Sequence, residues 1–189
     1  MLDSGPTAEI LAAGMPHVLR SPKDAGVLEM IVRRPGEGQR EVVDEAELDV
    51  TLGLVGDNWA TRGSRSMPDG SANPEMQLNV MNARVLGLLT PDRARWALAG
   101  DQLLVDFDLS VENLPLGSRL AVGAAVIEIT APPHTGCAKF SERFGAAATR
   151  YLNSPERKQL RLRGLNAKVI TPGTIRAGDR VAKVHALFR

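Results

Sequence analysis

The sequence has a single cysteine, Cys137, so no disulfide can form within the chain. That usage fits a reducing compartment. Aromatic residues make up only 4% of the 189 residues, which leaves few platforms on which single-stranded nucleic acid can stack. Neither sign of charge dominates: 23 Lys and Arg stand against 22 Asp and Glu, a formal net charge of +1. No bulk field therefore favours nucleic acid or an anionic membrane, and any anion site has to be a local cluster. No stretch approaches the roughly 20 apolar residues that span a bilayer. The opening MLDSGPTAEILAAGMPH lacks a basic n-region, and its apolar run is too interrupted for a signal peptide. A cytoplasmic location is the expectation. The three histidines, His17, His134 and His185, are far apart, and no Cys/His cluster has zinc spacing. The glycine motifs of phosphate loops, dinucleotide folds and nucleophile elbows are missing as well.

What is present is an ordinary globular composition, 43% hydrophobic and 24% charged, in a length that suits one domain with its own core. Thr7 to Ala13 reads as a short amphipathic helix, with Thr7 as N-cap and Gly14 as its stop. Strand signals follow at Val27–Val32, Arg40–Val43, Leu52–Val55, Met76–Val80 and Leu103–Leu109. Asn82 is placed to cap a helix through Leu89, and Thr90-Pro91 to open another that ends at Gly100. Arg119–Thr130 is the strongest strand signal, with Gly123 marking a bulge or bend. Short helices are expected at Lys139–Phe144 and Ala146–Leu152, with another after Ser154, and strands at Leu165–Thr171 and Arg180–Leu187 close the chain. Residues 61–74, TRGSRSMPDGSANP, read as a long loop, either a mobile excursion or a functional element. Many short strands with Gly/Pro turns predict a mostly β barrel or sandwich with a few short helices, not a doubly wound sheet.

The informative segment for chemistry is PPHTGCAKFSERFG, Pro132 to Gly145. The two prolines stop the preceding strand. Thr135 is placed to cap a helix, with Gly136 and Cys137 in its first turn. His134, Lys139 and Arg143 lie close to Cys137 in sequence, and each would favour the thiolate, the form of cysteine that serves as nucleophile or metal ligand. Lys139 and Arg143, four apart, share one helical face and with the helix start offer a phosphate site. The competing reading is structural: a lone cysteine is often a small buried hydrophobe, and Phe140 and Phe144 have core spacing. A Cys137–His134 pair is conceivable, but the sequence shows no third group to orient the histidine. Gly56-Asp57-Asn58-Trp59, the loop arginines Arg62 and Arg65, and the pair Arg161 and Arg163 are weaker candidates. Alternation puts the last two on one strand face.

The run GCAKFSERFG, the strand AVIEITAPPH before it and the upstream GLVGDNW resemble the MOSC domain, the molybdenum cofactor sulfurase C-terminal domain. The resemblance covers about residues 40–187 and leaves 1–39 as an N-terminal helix and strand extension of a single 1–189 domain. It implies a compact MOSC-type β-barrel with a few short peripheral helices. It also implies that Cys137 is the catalytic residue, either as thiolate ligand to the molybdenum of a pterin cofactor (molybdopterin) or as carrier of a persulfide. Relatives such as the mitochondrial amidoxime reducing component take the first course and reduce N-hydroxylated compounds. By resemblance His134, Lys139 and Arg143 flank the cofactor, and Thr135, Gly136, Asp57 and Arg163 complete the expected binding set. Where many members carry a His-Gly-Gly-type stretch after the Gly-Asp, this chain has TRGSRSMPDGSANP, which leaves the substrate open. Three functions follow: a molybdenum-dependent oxidoreductase acting on a small molecule, a sulfur carrier, or a non-catalytic cofactor-binding domain. The first two need an external electron donor or a sulfur donor such as a cysteine desulfurase.

Overall fold

A computed structural model describes residues 5–64 and 66–184. Arg65, His185 and the end of the closing strand, residues 185–187, lie outside the described residues. Seven strands form a closed circuit: β1 (Ala25–Arg33), β6 (Leu103–Asp106), β5 (Leu78–Asn82), β9 (Leu165–Thr171), β8 (Ala125–Ile129), β7 (Arg119–Val122) and β11 (Arg180–Lys183), which returns to β1. All these pairings are antiparallel except β5 with β6, whose parallel register sets Val80 against Leu103. The β5–β6 crossover carries helix α3 (Ala83–Leu89) and a 3-10 helix, Arg93–Ala99. The short strand β2 (Glu41–Val43) hangs on the edge of β1, and β3 (Glu45–Asp49), β4 (Gly53–Leu54) and β10 (Gly173–Arg176) make a separate small sheet.

Two apolar layers explain the strand patterns. Leu28, Ile31, Val80, Leu103, Ile127 and Val181 belong to the barrel interior. Met30, Val32, Met81 and Leu104, on the other face of the same strands, pack under a helical layer with Leu86, Phe140, Phe144 and Leu152. Strand β5, most of β6 and the second half of β1 are therefore buried on both faces, which is why β6 reads as the unbroken apolar run Leu103–Val105. A register shift between Leu28 and Met30 turns consecutive apolar residues to the two layers. By contrast β8 is buried at every second residue, with Val126 and Glu128 only half-buried.

Several boundaries differ from the sequence expectation. Helix α1 (Ala8–Leu19) is capped by Thr7 as expected, yet it runs through Gly14 and Pro16 to Arg20. Gly14 is not a stop because the helix packs so closely there that a Cβ would sit 2.3 Å from a Leu88 methyl. Asp92, not Thr90, caps the 3-10 helix through the amide of Ala94, and Gly100 ends it in the left-handed region. Arg119–Thr130 is two strands joined by a tight turn at Gly123, whose φ of +53° the turn requires. Strands β3 and β10 were not legible. Their pairing partners lie about 130 residues apart, as in Ile175 against Ala46.

Candidate functional site

Helix α4 (Ala138–Phe144) holds the cysteine. Phe140 and Phe144 are fully buried, with ring centroids 4.9 Å apart, and burial of each side chain contributes about 1.5–3 kcal/mol. That packing anchors the start of the helix at the surface. Cys137 itself occupies the N-cap position, with φ −101° and ψ 176°, and its carbonyl accepts from the amides of Phe140 and Ser141. Thr135 is not the cap. Residues 135–137 precede the helix, and Gly136 packs against α5 (Ala146–Leu152), where a Cβ would be 3.0 Å from Thr149 Cγ2. The cysteine is exposed rather than sealed in the core.

Cys137 opens on a cleft of about 480 Å³ between α4, the end of β1, helix α2 (Trp59–Arg62) and the turn at Gly100. His134, Thr135, Lys139, Arg143 and Arg163 all line it, whereas Gly136 is not among its lining residues. The loop after α2 lines it too, through Gly63, Ser64 and Asn73. Two arginines that sequence reasoning passed over, Arg34 and Arg40, form the opposite wall.

The charges around this cleft do not balance locally. Arg34 forms a two-point bridge with Asp57, Nε to Oδ2 at 2.8 Å and Nη2 to Oδ1 at 2.9 Å. Arg163 donates to Asp101 at 2.7 Å, and Lys139 pairs with Glu37 at 2.9 Å. Arg40, Arg62 and Arg143 have no carboxylate partner among the described residues. Arg143 donates to the Leu98 carbonyl, and Arg40 to that of Gln39. The Arg40 guanidinium is pushed below its ordinary value, first by burial and then by the charges of Arg143, Arg34 and Arg62, with Asp57 only partly offsetting them. Its Nε is buried without a partner, as is that of Arg163. This is a site short of negative charge.

Asp57 does not line the cleft. Its side chain is fully buried, where it accepts from the backbone and side chain of Arg34 and from the Trp59 amide. Its task is to fix Arg34 and the start of α2. Arg161 and Arg163 do not share a strand face. The chain turns at Arg161, the one described non-glycine residue with positive φ, +47°, and its guanidinium bonds the carbonyls of Leu109 and Leu114 elsewhere. Asp101 was invisible as anything but a turn residue after Gly100, yet it is fully buried and binds both Arg163 and His134 Nε2, each at 2.7 Å. Burial would raise its carboxyl, but Arg163 and His134 outweigh this and hold it below the ordinary carboxylate value. The available signal for Asn79 and Asn166 was a polar residue between apolar neighbours in β5 and β9, while Arg34, just past the end of β1 and beside Arg33, carried none.

The described residues contain no group of three or more His, Cys, Asp or Glu that could hold a metal ion, and no helix long and apolar enough to cross a membrane. Among known families, the model of the MOSC domain matches residues 57–182. No curated protein matches the sequence. Solved structures share the fold. The YuaD protein of Bacillus subtilis is 16% identical, with 83% of this chain and 94% of that one covered and a TM-score of 0.60. YiiM of Escherichia coli is 21% identical over 86% and 72%, with a TM-score of 0.53. YiiM of Geobacillus stearothermophilus is 11% identical over 87% and 75%, with a TM-score of 0.52.

Proposed function

The chain belongs to the MOSC domain family, and on that footing we propose that its cleft binds the molybdenum cofactor, with the Cys137 thiolate as the single protein ligand to the metal. The observation that carries this reading is the pairing of one exposed thiol with an excess of arginine in the same cleft. The residues fit the group. A metal that arrives in its own organic sulfur ligand needs only one soft donor from the protein, and the described residues offer one thiol and no ready-made ligand cluster. The pterin's phosphate needs cationic donors, which Arg40, Arg62 and Arg143 supply. When bound, the cofactor supplies two-electron redox chemistry, and the protein supplies binding, orientation and electrostatics. Arg34 and Arg163, fixed by buried carboxylates, hold the walls of the cleft in shape. Glu37 occupies Lys139 at the rim, so an incoming anion competes with it. The substrate proposed is a small N-hydroxylated compound, reduced with electrons from an external donor.

The exposure of Cys137 favours one further reading, a sulfur carrier in which the thiol holds a persulfide for transfer. The two separate in one experiment. Protein purified from a host that makes the cofactor is analysed for molybdenum and pterin beside a Cys137→Ser control. Near-stoichiometric pterin and molybdenum, with the metal lost in the control, is the expected result. Protein free of pterin that instead gains the mass of one sulfur at Cys137 from a cysteine desulfurase overturns the cofactor reading in favour of the carrier.

A further inference from the structure

Within that reading of the site, we infer that His134 is a proton donor and acceptor facing the cleft, held in a single tautomer by Asp101. The sequence lacked an orienting partner for this histidine, and the fold brings one from a turn 33 residues away. Both Asp101 oxygens are engaged, one by Arg163 and one by His134 Nε2, and the carboxyl is completely buried. A carboxylate paired with a guanidinium can only accept, so Nε2 must carry the hydrogen. Arg163 is itself fixed: it donates to the Ala99 carbonyl at 3.0 Å and lies 4.4 Å over the Phe140 ring.

The other ring nitrogen is left free. Among the described residues Nδ1 has no hydrogen-bond partner, and it is not among the buried unpartnered atoms, while the residue lines the cleft. The ring's Cδ2 edge rests against Gly164, where a Cβ would come within 3.2 Å of it and 2.3 Å of the Val80 carbonyl. The imidazole is thus held from two sides, with Nδ1 presented to whatever binds before Cys137. This is the arrangement in which a buried carboxylate sets the tautomer of a histidine that moves protons. In reduction of an N-hydroxylated compound the N–O bond breaks. Two electrons come from an external reduced carrier, one proton ends on nitrogen and one completes the departing water. Nδ1 takes up a proton from solvent and passes it to that oxygen, the second proton reaches nitrogen from solvent, and Nε2–H stays on Asp101 throughout. Asp101 is a positioning residue.

The first test is long-range 1H–15N correlation on labelled protein at alkaline pH, where imidazole is neutral. The signal lost in His134→Gln is expected to show a protonated Nε2 and a bare Nδ1, and Asp101→Asn to lose that preference. A His134 signal protonated at Nδ1 overturns the inference. With cofactor-loaded protein and benzamidoxime as probe, His134→Gln is expected to lower kcat about 100-fold with KM little changed. An effect on KM alone overturns it. Should the protein hold no pterin, the functional reading fails, and the tautomer, measured on protein as purified, decides the inference by itself.

Discussion

Asn79 on β5, which lines the cleft, donates its side-chain amide to the fully buried Asn166 on β9 at 2.6 Å. The contact is one link in a buried chain. Arg34, held by Asp57, donates to the Asn79 oxygen at 3.0 Å, and Asn166 donates to the Pro132 carbonyl at 2.9 Å. The arginine wall and the segment leading to His134 and Cys137 are therefore tied to each other through the barrel. Buried polar networks of this kind rigidify a site only while every member is satisfied.

Replacing Asn166 with Ala removes the acceptor of Asn79 and the donor to Pro132 at once. The variant should lose about 2–3 kcal/mol in urea unfolding, and hydrogen exchange should rise in residues 132–137. An unchanged exchange pattern there would show that the cysteine segment is held without this tie.

Asp57→Ala strands the Arg34 guanidinium in a buried position with one strong partner gone. Breaking such a pair costs about 3–5 kcal/mol, read as a lower denaturant midpoint with the slope preserved. The effect should far exceed that of Lys139→Ala, which removes an ion pair exposed on both sides.

Arg62→Gln is expected to leave unfolding within about 0.5 kcal/mol of the parent, since the side chain is exposed and unpaired among the described residues. Binding of inorganic pyrophosphate, followed by calorimetry, should weaken about 10- to 100-fold, the worth of one charged hydrogen bond. Raising the salt concentration should shrink the difference.

The Asp101 carboxyl is lower in the folded protein than in the unfolded chain. Such a group stabilises the fold above its unfolded value of about 3.9, and the contribution is lost as pH falls through the folded value. Urea midpoints measured from neutral pH into acid should therefore drop most steeply below about pH 4. Asp101→Asn should start from a lower midpoint at pH 7 and decline less over the acid range.

Gly164 has φ +105°, and a Cβ there would collide with the Val80 carbonyl. Gly164→Ala should cost about 2–3 kcal/mol in urea unfolding and displace the His134 ring, visible as a shifted imidazole signal. A parent-like midpoint would mean the backbone at 164 relaxes without strain.

How much of this was legible in the residues depended on sequence distance. The barrel showed itself because short strands and Gly/Pro turns leave a local periodicity, and Cys137, Lys139 and Arg143 stood out because α4 keeps them together. Asp101 and Arg34 did not, since each owes its role to a partner met only after folding: His134 and Arg163 for one, Asp57 and Asn79 for the other. Asp57 was read for its Gly-Asp turn and not for its burial, which depends on the whole barrel end. Arg161 misled because alternation was assumed where the chain turns left-handed.

The first and last barrel strands are neighbours, with Ala25 beside Ala182. A ribosome-bound chain therefore cannot complete the circuit until residues near 180 have emerged, long after Arg34 and Cys137 have left the exit tunnel. The barrel closes late in biosynthesis, and a nascent chain stalled before that point would present two rows of unmated backbone amides to its surroundings.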